Sequence, residues 1–139
     1  MRNNIQKASA IIFTILISLA AILHAYWALG GSWYLNETSG GKYEPGASLP
    51  LSARIGTWGL TILMILAALL VLGRVKLIWQ KIPQWFYAIS CWIITVCMFL
   101  GVLKTFPASY FWNRFGFGHI WIILFILTLI IALPEKKNT

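Results

Sequence analysis

Residues 8–33 read ASAIIFTILISLAAILHAYWALGGSW, and this stretch decides the fold. From Ala8 to Leu29 it carries no charged residue, and as a helix it would be about 33 Å long, enough to cross the hydrocarbon of a bilayer. Arg2 and Lys7 precede it, and the glycine pair Gly30-Gly31 ends it. A secretory signal peptide would have a shorter apolar core of roughly 7–15 residues and a small-x-small cleavage site. This run instead continues through Tyr26 and Trp27 without one, so a retained first span is expected.

Composition extends that reading to the whole chain. The 139 residues are 60% hydrophobic and 10% charged, with a mean hydropathy of +0.80. That leaves too little polar surface to clothe a soluble globule of this size, so lipid is the expected solvent. Working outward from the first run, residues 30–54 are polar and rich in breakers, with Gly40-Gly41, Pro45-Gly46 and Pro50, and are expected as a loop. Further apolar runs follow at 55–72, 84–103 and 117–133. The second would be about 27 Å long, just sufficient to span, and Pro83 suits the start of the third because its missing N–H leaves no helical bond unmade. The expected fold is therefore one all-α domain over residues 1–139: a four-transmembrane-helix bundle in which both termini share a side.

The charge pattern sets the expected orientation. Arg2, Lys7, Arg74, Lys76, Lys81, Lys136 and Lys137 fall on the side of the termini, against Lys42, Arg54, Lys104 and Arg114 on the other. The excess places the termini in the cytoplasm. The basic link Arg74–Lys81, with Trp79 in it, suits the headgroup layer. The formal charge of +8 is spread in small groups between apolar runs, so it is topology rather than a nucleic-acid surface.

Several chemistries lack their residues. Cys91 and Cys97 are spaced wrongly for a reactive Cys-x-x-Cys. The acidic residues Glu37, Glu44 and Glu135 all lie outside the apolar runs, which leaves no intramembrane carboxylate for ion coupling. No nucleophile is paired with a base and no carboxylate cluster is present, which argues against a lipid hydrolase or transferase and leaves enzymatic activity open, with a non-enzymatic role the leading expectation. Ser18, Ser90, Thr61, Thr95 and Thr128 are read as packing hydroxyls, and Trp58, Trp85, Trp92 and Trp121 as interfacial anchors.

The two histidines are the informative residues, because an ionisable group inside a span carries a free-energy penalty. His24 and His119 lie at similar depth near the outer side. On a helical wheel His24 shares a face with Ile17, Ala20, Ala21, Trp27 and Ala28, whose small members admit a neighbouring helix. His119 shares a face with Ile122, Ile123, Ile126 and Ile130, a stripe suited to the interior or to lipid alike. The ligand-binding candidates are His24, Trp27, Trp33, Arg54, Arg114 and His119, lining an outer-leaflet pocket for an amphipathic ligand. Gly30 and Gly31 would turn the chain so that Ser32 and Trp33 fold over its mouth. A quinone, a haem or a lipid headgroup would stack on Trp27 and receive a hydrogen bond from His24. The simplest competing reading makes the histidines packing residues and the glycines a helix cap. The redox alternative is a haem- or metal-binding protein using His24 and His119, although no His-x-x-x-His or Cys-His cluster accompanies them. Expected partners are membrane lipids and the amphipathic ligand, with room left for a second copy or another membrane protein.

The segment His24-x-x-Trp27-Ala28-Leu29-Gly30-Gly31-x-Trp33 at the end of a first span, followed by a proline-containing loop and three more apolar runs, resembles the bacterial membrane family known as domain of unknown function 3995. The resemblance covers the whole chain in layout and is specific in this ten-residue stretch. It implies a multi-pass protein of the bacterial cytoplasmic membrane without an assigned activity, and it brings no catalytic residues.

Overall fold

The computed structural model describes residues 2–39, 41–105 and 118–134. Among them the regular structure is entirely helical: α1 (Arg2–Ala28), α2 (Leu35–Thr38), α3 (Leu51–Arg74), α4 (Gln84–Thr105) and α5 (Gly118–Ala132). Helices satisfy their own backbone groups, which hydrocarbon cannot do for them. α1, α3 and α4 are long and apolar enough to cross a membrane, and α5 is a shorter apolar helix of 15 residues.

Helix ends depart from the apolar runs where polar residues find partners. α1 begins at Arg2, well before Ala8, because its polar first turns continue the helix and Gln6 turns inward. α3 begins at Leu51, directly behind Pro50, whose ring holds φ at −63°. Arg54 is therefore in the first turn of a helix and not in the loop. Within that loop a single turn, α2, forms where no helix was expected. It is entered through Tyr34 at φ 61° and anchored by Leu35, which is buried with Trp27 and Leu49.

α1 packs on α3 and α5, and α4 packs on α5 and α3. The main core joins Phe13 and Ile17 of α1 to Ala68 and Val71 of α3, Cys91 of α4 and Ile131 of α5. Small residues set the spacing. A Cβ on Gly73 would overlap the Tyr87 ring, and one on Gly101 would overlap the Trp121 ring, so these are close helix approaches of the kind small residues permit. The exterior is greasy: Leu19, Ile22, Leu63, Trp85, Ile93 and Leu100 are all exposed, as expected of helices solvated by hydrocarbon and not by water. At one end Gln6 Nε2 donates to the carbonyl oxygens of Ile130 and Leu133, at 3.1 and 2.9 Å, so the start of α1 and the end of α5 lie together.

Candidate functional site

The site is built at the other end of α1 by its helix stop. Gly30 has φ 104°, a left-handed conformation that glycine adopts without penalty. Its N–H donates to the Trp27 carbonyl at 3.0 Å, and the Gly31 N–H donates to the Tyr26 carbonyl at 2.9 Å. These two bonds form a Schellman cap, which satisfies carbonyls that the helix leaves open. A Cβ on Gly31 would overlap the Tyr26 ring. The chain therefore reverses tightly, and the Trp33 carbonyl arrives 2.8 Å from Trp27 Nε1, which donates to it.

His24 lies one turn before the cap and is half-buried. Its Nδ1 is 2.8 Å from the Ala20 carbonyl oxygen. A carbonyl only accepts, so that nitrogen carries the proton, and in the uncharged tautomer Nε2 is then the acceptor. The ring meets Trp27 edge-on, with centroids 5.0 Å apart at 61°.

His24 and Trp27 form one wall of a cavity of about 640 Å³. Its floor is the upper edge of the main core, at Ile17 and Leu124, and its roof is the small cluster under α2, with Leu35 and Leu49. Thr57 and Leu60 contribute from α3, Lys104 and Thr105 from α4, and Trp121 from α5. Leu19, Leu60, Lys104 and Ile120 are exposed, so the cavity is a cleft with an open side. Among the described lining residues Lys104 carries the only charge.

The sequence candidates divide around this cleft. His24 and Trp27 line it. Trp33 is exposed, contributes its carbonyl to Trp27 and leans on Tyr34 with ring centroids 5.4 Å apart. Arg54 is outside the lining: its Nε donates to the Leu49 carbonyl at 2.8 Å and its Nη2 to Ser48 Oγ at 3.2 Å. The guanidinium lies over Gly30, 3.1 Å from where a Cβ would be, so it braces the loop against the end of α1. Arg114 lies outside the described residues.

His119 does not join His24. It is exposed and absent from the lining, because α5 turns Gly118, Leu124, Thr128 and Ile131 inward and leaves Ile123 and Ile126 outside. The haem or metal alternative is therefore not favoured, and among the described residues no group of three or more His, Cys, Asp or Glu side chains could hold a metal ion. With Nδ1 held by the Ala20 carbonyl, the ring nitrogen left for a ligand is Nε2, an acceptor when the ring is uncharged. Sequence reasoning missed Lys104 and Trp121. The available signal was Gly101, an isolated glycine in an apolar helix one turn before Lys104, which marks a close approach.

No curated protein and no solved structure matches the chain. A family model does, over residues 17–127, a span that takes in His24, Trp27, Gly30, Lys104 and Trp121. That match covers most of the sequence, and the protein belongs to the family described as Protein of unknown function (DUF3995).

Proposed function

We propose that this is a four-span, multi-pass protein of the bacterial cytoplasmic membrane, with both termini in the cytoplasm, and that it acts as a non-enzymatic binding or accessory protein whose outer-leaflet cleft holds one amphipathic molecule. The cleft carries the proposal. Its volume of about 640 Å³ falls in the range of roughly 300–1,000 Å³ typical of small-molecule sites. Its walls are mainly apolar, with polar groups gathered toward the end where α1 and α4 finish. The lining on α1 runs from Leu16 to Trp27, about 16 Å at the helical rise, which suits an extended hydrocarbon chain.

The fourth span is α5. Its 15 residues make about 22 Å of helix, less than the usual span. The contact of Gln6 with the Ile130 and Leu133 carbonyls supports an even number of crossings, because it holds both ends of the helical region at one end of the packing. The lysine and arginine excess on that side supports a cytoplasmic placement for it.

His24 supports a ligand whose polar head donates a hydrogen bond to Nε2. The test uses the full chain in phosphatidylcholine nanodiscs with a monoacylglycerol, a neutral amphiphile with hydroxyl donors. The expected result is a rise in Tm that is lost in His24→Phe, which keeps an aromatic ring but not the acceptor, and in Ala20→Phe, which fills the cleft. An equal rise in both variants refutes the site.

A further inference from the structure

The hydrogen-bond inventory of the cleft points to the charge of its occupant, a step that rests on the amphiphile reading above. Nearly every donor in the lining is already committed to a backbone carbonyl. Thr57 Oγ1 donates to Ala53 at 2.8 Å, Thr105 Oγ1 to Gly101 at 2.7 Å and Ser39 Oγ to Asn36 at 3.0 Å. Thr38 Oγ1 lies 3.0 Å from the carbonyls of Tyr34 and Leu35. Trp27 Nε1 is held by the Trp33 carbonyl and His24 Nδ1 by that of Ala20.

Lys104 differs. Among the described residues none hydrogen-bonds or ion-pairs with it, and no described lining residue is acidic. The helix that carries it is held close to α5, because Gly101, one turn earlier on the same face, takes the Trp121 ring against its backbone. Among the described residues the cleft thus presents a greasy channel, an acceptor at Nε2 of uncharged His24 and an ammonium with three donors and no described counter-charge.

We propose that the occupant is a single-chain lipid with an anionic oxyacid head that also bears a hydroxyl: the oxyacid oxygens accept from Lys104, the hydroxyl donates to His24 Nε2, and the chain lies along α1 toward Leu16. A last-turn lysine on α4 would favour the helix dipole even with no ligand, so the test must read binding.

Lysophosphatidic acid and a monoacylglycerol with the same chain are titrated against the full protein in phosphatidylcholine nanodiscs, with inorganic phosphate as a third probe. A charge-assisted hydrogen bond to the head predicts roughly tenfold tighter binding of lysophosphatidic acid than of the monoacylglycerol. Lys104→Gln is expected to abolish that advantage while leaving monoacylglycerol binding unchanged, and Lys104→Arg to retain it. Equal affinity of the two lipids for the wild type, or an advantage that survives Lys104→Gln, overturns the charge assignment and leaves the amphiphile site standing. Phosphate alone binding as tightly as lysophosphatidic acid overturns the lipid identity. Binding of neither lipid overturns both this inference and the function proposed above.

Discussion

The side-chain amide of Gln6 donates 2.9 Å to the carbonyl oxygen of Leu133, tying the start of α1 to the end of α5. A second bond from the same nitrogen reaches Ile130 at 3.1 Å. The last carbonyls of a helix have no partner within it, and Gln6 supplies one while only 4% exposed. Gln6→Leu keeps the bulk and removes the donor, leaving those carbonyls unsatisfied at a cost of about 1–3 kcal/mol. Unfolding in mixed micelles should therefore begin at a lower fraction of denaturing detergent. Wild-type behaviour would mean that water or lipid headgroups satisfy this end of α5.

The proposed topology leans on the same contact. With the ends of the helical region held together and α1 running away from them, the loop that contains Ser48 lies at the far end. In intact cells a membrane-impermeant thiol reagent is expected to label Ser48→Cys, which is exposed, and to spare Asn4→Cys, which is equally exposed at the other end. Labelling of both, or of Asn4→Cys alone, contradicts the proposed orientation.

Two glycines predict opposite signs for one substitution. The Trp121 ring occupies the space that a Cβ on Gly101 would take, whereas a Cβ on Gly56 meets nothing within 4 Å. Gly101→Ala forces a bulky ring away from its seat and is expected to destabilise by about 1–3 kcal/mol. Gly56→Ala removes only backbone freedom from a helix and is expected to stabilise by about 0.5–1 kcal/mol. Thermal unfolding of both variants in the same nanodisc checks the pair, and equal effects would argue against the tight α4–α5 approach.

What the sequence could reveal depended on whether a residue's surroundings were written locally. The inward face of α1 was legible because Ala20, Ala21 and Ala28 share it with His24, and small residues mark helix contact in lipid. The facing of α5 was not, because the helix is apolar all round and its isoleucine stripe has the same hydropathy inside or out. Only Thr128, buried and bonded to the Leu124 carbonyl at 3.0 Å, distinguishes the inner side. Lys104 looked like the end of a run because its place on the cleft depends on Trp121 closing over Gly101, a contact between helices. Arg54 looked like loop, although Pro50 before it is a helix-start signal.

One hydroxyl lies out of pattern and gives a stability prediction. Thr57, Thr61, Thr95, Thr105 and Thr128 each donate to the carbonyl four residues earlier, at 2.7–3.0 Å. Thr14 Oγ1 is buried with no hydrogen-bond partner among the described residues. A hydroxyl in that state keeps its desolvation penalty with nothing to offset it. Thr14→Val preserves the shape, removes the orphan oxygen and should raise stability by about 1 kcal/mol. Thr95→Val removes a satisfied hydroxyl and should lower stability by roughly 0.5 kcal/mol, the scale of side-chain hydrogen bonds in helical membrane proteins. The comparison isolates the hydrogen bond, because both substitutions exchange the same groups within long apolar helices of one bundle. If Thr14→Val destabilises as Thr95→Val does, the Thr14 hydroxyl has a partner in the membrane, and the most direct explanation would be a polar group of a bound lipid.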